Sequence, residues 1–192
     1  MGSRIVVLQG SPRKDGNTAA LAGWFAQGAR SGGSKVETIE TAFLKYKSTG
    51  CTACRACQRS AGYRCVIDDG ASPVLAKMAA SDVIAIATPL FFYQPSAQLK
   101  LVYDRMFSLY KWNNENDTFA TPLKGKTLVL IASAYEELGL KTLEKPFRMI
   151  AEYTGMKFRS LLVRNAGVSG GLKGSSSVRA KAIKLGKLCA RV

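Results

Sequence analysis

Short apolar runs rich in β-branched residues alternate with segments of helical periodicity along most of this chain, and that alternation limits its fold more than any other feature. Arg4–Gln9 is the first run, apolar without interruption, as a strand buried on both faces must be. A glycine-containing loop follows, and Leu21, Trp24, Phe25 and Ala29 then recur at helical spacing over residues 18–29. Gly32-Gly33 stops that helix, and residues 35–40 alternate as a second strand. Ser72-Pro73 opens a helix to Ala80, with proline tolerated in its first turn. Residues 82–88 (DVIAIAT) form the third and most apolar strand. Ser96 caps a helix over residues 96–108. Residues 126–134 make the fourth strand, 141–154 a helix, 157–163 the fifth strand and 178–191 the last helix. Such a pattern predicts an α/β fold, a doubly wound five-stranded parallel sheet with helices on both faces.

Five strands suit the flavodoxin-like winding, in which the ligand lies beyond the carboxyl ends of the strands, at the point where their order reverses. Two stretches interrupt the alternation. Residues 41–70 form an insertion after the second strand and carry four cysteines. Residues 111–121 are polar, with Asn113, Asn114 and Asn116, and read as an exposed connection. The 192 residues suit one domain, and no repeat or low-complexity tract marks a second. The N-terminus lacks a signal-peptide pattern and no run is long enough to span a bilayer, so a cytoplasmic protein without a membrane partner is expected.

The first loop, Gly10-Ser11-Pro12-Arg13-Lys14-Asp15-Gly16-Asn17-Thr18, has the chemistry of a phosphate cradle. Gly10 lets the chain leave its strand sharply. Ser11 and Thr18 offer hydroxyls, Asn17 an amide and Arg13 a planar guanidinium. The helix beginning near Thr18 directs free N–H groups and its positive dipole end to the same place. No lysine follows Gly16, so this is not the loop of nucleoside triphosphatases, and the GxGxxG dinucleotide fingerprint is absent. A polar turn with a plain helix cap is the alternative. The loop after the third strand, Pro89-Leu90-Phe91-Phe92-Tyr93-Gln94-Pro95, places three aromatics in a row. They require a core, a partner or a flat ligand such as an isoalloxazine ring.

The cysteines follow the spacing Cys51-x2-Cys54-x2-Cys57-x7-Cys65. Three thiolates at three-residue steps can occupy three corners of a four-iron four-sulfur cluster, and Cys65 is near enough to be the fourth ligand. Structural zinc, a disulfide and free thiols are the competing readings. Arg55, Arg59 and Arg64 lie among the cysteines and would offset cluster charge. Cys189 reads as a small buried hydrophobe.

The chain has 28 Lys and Arg against 13 Asp and Glu, a formal charge of +15, and no histidine. The lack of histidine excludes His-based acid–base chemistry, the Ser-His-Asp and Cys-His arrangements and every His-containing metal site. The basic excess invites an anionic partner. At the C-terminal end Lys173, Arg179, Lys181, Lys184, Lys187 and Arg191 read as a solvated helix face that could steer an acidic electron carrier. Aromatics are not interleaved with them, which argues against nucleic acid.

GSPR-x-x-GNT directly after the first strand, the aromatic loop leading into Ser96-Ala97-Gln98-Leu99-Lys100 with the later Asp104-Arg105, and Gly50-Cys51-x2-Cys54-x2-Cys57 with Cys65-Val66-Ile67-Asp68-Asp69 together resemble the NADPH-dependent FMN reductase and iron–sulfur flavoprotein superfamily. The resemblance covers most of the chain. It implies that Ser11, Arg13, Gly16, Asn17 and Thr18 surround the FMN phosphate, that the loop from Pro89 to Tyr93 meets the flavin, and that Ser133, Ala134 and Tyr135 border it. The family usually has small, glycine-rich residues at this third loop, where this chain has Tyr135, Glu136 and Glu137.

The function so implied is that of an FMN-dependent redox enzyme. A donor such as an acidic ferredoxin would supply electrons, the cysteines would hold a cluster, and FMN would serve an acceptor. An NAD(P)H-dependent FMN or quinone reductase without a cluster is the alternative enzyme, and a flavin-binding or basic regulatory protein the non-enzymatic one. The resemblance also implies a homodimer or homotetramer. No catalytic side chain is assigned, because the flavin itself carries the chemistry.

Overall fold

The structure, a computed structural model, describes residues 2–113, 115–116 and 118–192. In chain order the elements are β1 (Arg4–Gln9), α1 (Asn17–Ser31), β2 (Lys35–Glu40), α2 (Ala56–Arg59), α3 (Ala71–Ala80), β3 (Val83–Pro89), α4 (Ala97–Tyr103), β4 (Lys111–Asn113), β5 (Thr118–Ala120), β6 (Thr127–Ser133), α5 (Leu140–Thr154), β7 (Lys157–Val163) and α6 (Ser176–Cys189). Five strands pair in parallel in the order β2-β1-β3-β6-β7. Counted along the chain, that is the 2-1-3-4-5 order of flavodoxin-like sheets, with the reversal between β1 and β3.

The two-residue period of the strands sorts their side chains into two cores. Val6, Leu8, Ile84, Ile86, Leu128 and Leu130 pack with residues of α3, α4 and α5 on one face. Ile5, Val7, Val83, Ala85, Val129 and Ile131 pack with α1 and α6 on the other. Residues of the three central strands are buried on both faces, which explains why they read as unbroken apolar runs. The α1–α6 pair is close enough for backbone contact. A Cβ at Gly28 would stand 2.1 Å from the carbonyl oxygen of Ile183, and one at Gly186 would stand 2.1 Å from that of Phe25.

Two expectations are corrected. The helix over 96–108 is α-helical only through Tyr103 and tightens to a 3-10 turn over Asp104–Leu109, which carries Arg105, Met106, Ser108 and Leu109 into the interior. Residues 111–121 are more than a polar connection: β4 and β5 form an antiparallel hairpin that pairs Trp112 with Phe119. Phe119 stacks on Tyr153 with ring centroids 4.9 Å apart, and Tyr110 joins the same aromatic group. These contacts come from a distant helix, so the local polarity of the asparagines conceals them. Asn114 lies outside the described residues.

Candidate functional site

The carboxyl ends of β1, β3, β6 and β7 feed four loops that wall a cavity of about 400 Å³. The first wall is the loop after β1. Gly10 is packed so tightly that a Cβ there would meet the Leu99 Cβ at 2.8 Å and the Ser96 Oγ at 2.9 Å. The Ser96 hydroxyl donates to the Gly10 carbonyl and accepts from the Leu99 N–H. One side chain thus caps α4 and ties the first loop to the third-strand loop. Ser11 donates its N–H to Gln9 Oε1 at 2.6 Å, and its hydroxyl accepts the Arg13 N–H at 3.1 Å. Gly16 caps α1 without a side-chain hydrogen bond, and the first turn of α1 has no acidic residue. The positive end of this 15-residue helix therefore opens on the cavity beside the exposed Arg13.

Ser11, Arg13, Gly16, Asn17 and Thr18 all line this cavity, with Pro89, Leu90 and Phe91 from the second loop and Ser133, Ala134 and Tyr135 from the third. Thr18 and Ser133 share a hydrogen bond of 3.2 Å between their hydroxyls, which joins the first and third loops. The structure does not bring Phe92 and Tyr93 into the wall. They form the turn of a tight hairpin in which Phe91 and Gln94 exchange backbone hydrogen bonds of 3.0 Å. Both have positive φ, 47° and 66°, a costly conformation for bulky residues. Phe92 is 95% exposed, and Tyr93 packs over Gly139.

Sequence reasoning missed the fourth wall, Ala166, Gly167, Val168 and Ser169 after β7. Asn17 holds it there. Its Nδ2 donates to the carbonyls of Ala166 (2.9 Å) and Val168 (3.0 Å), and its Oδ1 accepts the Leu172 N–H at 3.1 Å. The amide has no hydrogen left to offer a ligand, so Asn17 shapes the cavity and leaves other groups to contact what enters it. The glycine- and serine-rich composition of residues 167–177 is the signal in the sequence for a loop of this kind.

The four cysteines of the insertion ring a second, small, apolar pocket, together with Thr52, Arg55, Val66, Ile67, Arg105, Phe107 and Ser108. Ala53 and Arg55 have left-handed φ values of 54° and 53°. Alternating handedness of this kind turns successive N–H groups inward, the arrangement of anion-binding nests. The Cys54 thiol is held below its ordinary value by the Ala56 N–H first, and then by the Thr52 hydroxyl. Among the described residues no three Cys, Asp or Glu side chains stand close enough to share one metal ion. A single zinc needs its sulfurs crowded around Zn–S bonds of about 2.3 Å. In a four-iron cluster each thiolate binds a different iron, so the sulfurs stand farther apart. The all-thiol donor set suits a four-iron cluster.

The insertion is pinned to the core by a buried ion pair. Arg105 Nη1 donates to both oxygens of Asp69 at 2.7 and 2.8 Å, and Nη2 donates to the Ile67 carbonyl at 2.8 Å. The two side chains are 0% and 1% exposed. Burial pushes the Asp69 carboxyl up, but hydrogen bonds from the Lys47 N–H, Arg105 and the Ala71 N–H outweigh it and hold the group below the usual carboxylate range.

The profile of a family described as NADPH-dependent FMN reductase matches residues 3–167. The chain belongs to that family. Within it, the chain is similar to an iron-sulfur flavoprotein of Methanosarcina thermophila, 34% identical over 111 residues, covering 57% of this chain and 56% of the relative. It is also similar to one of Methanocaldococcus jannaschii, 31% identical over 102 residues, covering 53% and 51%. The chain thus spans about half the length of the curated relatives it matches. Among solved structures, an NAD(P)H:quinone oxidoreductase of Methanothermobacter marburgensis superposes with a TM-score of 0.68 at 17% identity, covering 100% of this chain and 98% of that one. An azoreductase of Bacillus anthracis superposes with a TM-score of 0.69 at 11% identity, covering 99% and 100%. At such low identity these two establish the shared fold of this FMN reductase family member. Among the described residues no helix is long and apolar enough to cross a membrane.

Proposed function

We propose that this member of the FMN reductase family is an FMN-dependent oxidoreductase whose flavin occupies the 400 Å³ cavity at the carboxyl ends of the strands. One observation carries the reading: the cavity is lined both by polar and cationic residues beside a helix N-terminus and by apolar and aromatic residues, the two kinds of surface a flavin mononucleotide needs. The first comprises Ser11, Arg13, Gly16, Thr18 and the free N–H groups of α1, which suit a dianionic phosphate. The second comprises Pro89, Leu90, Phe91 and Tyr135, which suit a flat ring. Bound FMN would supply the electron and hydride chemistry. The four loops that line the cavity would orient it. The test is retention of FMN by the Arg13→Ala/Thr18→Ala double variant. The expected result is a folded, colourless protein, and full flavin occupancy would refute the assignment.

Cys51, Cys54, Cys57 and Cys65 are proposed as ligands of a four-iron four-sulfur cluster. The four cysteines lining one pocket and the iron-sulfur flavoproteins among the relatives support this. When bound, the cluster would supply one-electron transfer. The exposed basic residues of α6 and of the cysteine loop favour an acidic donor protein. Self-association is supported by apolar side chains exposed on the loops after β3, β6 and β7, where Phe92, Tyr135, Leu138 and Val168 are 95%, 67%, 66% and 70% exposed. The second reading, direct reduction by NAD(P)H, rests on the family description. Rapid anaerobic NAD(P)H oxidation that survives loss of all four cysteines would favour it.

A further inference from the structure

Two buried donors on residues that line the cysteine pocket make no hydrogen bond. Arg105 is 1% exposed and commits both terminal nitrogens to Asp69 and Ile67, yet its Nε makes no hydrogen bond. Ser108, also 1% exposed, sits one helical turn further on with its Oγ equally unpartnered. Both residues line the pocket that Cys51, Cys54, Cys57 and Cys65 line. Buried N–H and O–H groups are rarely left without an acceptor, and sulfur is what this pocket offers. Gln58 already makes such a bond: its Nε2 donates to the Cys57 sulfur at 3.6 Å and to the Tyr110 carbonyl at 3.0 Å.

We infer that Arg105 Nε and Ser108 Oγ are the hydrogen-bond donors to the sulfur-bound group held by the four cysteines, and that they raise its reduction potential. The inference rests on the cluster reading given above. Its physical basis is that a group becoming more negative on reduction is stabilised by donors and positive charge aimed at its sulfurs, so removing them makes reduction harder. Arg105 has a second use. Anchored to Asp69 and Ile67 and lining the same pocket as Cys65, it fixes the end of the insertion that carries the fourth thiol. Arg105 and Ser108 are thus positioning and tuning residues.

The experiment is anaerobic reconstitution of the full chain with ferrous iron and sulfide, followed by iron analysis and a reductive titration monitored by visible and electron paramagnetic resonance spectra. The wild type is compared with Ser108→Ala and Arg105→Lys. Each variant is expected to retain iron but show the reduced-to-oxidised ratio at fixed ambient potential about tenfold lower, which is about 59 mV for a one-electron couple. Ser108→Ala removes one small hydroxyl, so it decides the matter if Arg105→Lys fails to fold or to hold iron. Equal potentials for wild type and Ser108→Ala at equal iron content would overturn the inference while leaving the cluster reading intact. Failure of the folded wild type to take up iron and sulfide would overturn both.

Discussion

Replacing Asp69 by alanine is expected to destabilise this protein by about 3–5 kcal/mol, the usual cost of leaving one member of a buried ion pair without its partner. Solvent screening reduces that figure little, because the Asp69 and Arg105 side chains are 1% and 0% exposed. The carboxylate also accepts the N–H groups of Lys47 and Ala71, each at 3.0 Å, and these would lose their acceptor too. A domain of this size typically has about 5–15 kcal/mol of stability in all. The melting temperature should fall by roughly 6–20 °C, taking about 2–4 °C per kcal/mol for chains of this length. Urea unfolding followed by circular dichroism gives the free-energy difference directly. The control is Asp69→Leu/Arg105→Met, in which no charge is buried and much of the lost stability should return.

The pH dependence supplies a second check. The folded-state carboxyl lies below its ordinary value, so its contribution is complete above the unfolded value of about 3.9 and disappears as pH falls through the folded value. The difference between wild type and Asp69→Ala should therefore be flat near neutrality and narrow only in acid. A loss under about 1 kcal/mol, which is the range of exposed pairs, would refute the view that this pair pins the cysteine insertion. A double variant no better than the single would do the same.

Glycines of α1 should respond in opposite directions to alanine. Gly23→Ala meets nothing within 4 Å and should gain up to about 1 kcal/mol from helix propensity. Gly28→Ala drives a methyl into the Ile183 carbonyl and should lose about 1–3 kcal/mol or more by overpacking; equal melting temperatures would disprove the close crossing of α1 and α6. In metal-free protein near pH 7.5, iodoacetamide should label Cys54 early, because the Ala56 N–H and Thr52 hydroxyl hold its thiol low. It should label Cys189 only after unfolding, because burial pushes that thiol up to about 11. Mass spectrometry reads both sites, and comparable rates in folded protein would contradict the burial of Cys189.

The sequence alone determined the sheet and the place of the cavity. Strand edges at Arg4, Gln9, Lys35, Glu40, Lys157 and Val163 are where the residue pattern puts them, and the loops after the first, third and fourth strands meet at one cavity. Strand periodicity, helix capping and turn chemistry are short-range effects, written in residues that are neighbours along the chain. The tertiary structure alone decided where individual side chains end. Asn17 is consumed by carbonyls 149 and 151 residues away, and Phe92 is turned outward by a hairpin that its own sequence disfavours. Arg105 meets a carboxylate 36 residues distant beside the cysteines. These outcomes depend on which distant groups the packed layers bring within 3 Å, and local residue patterns carry no record of that distance.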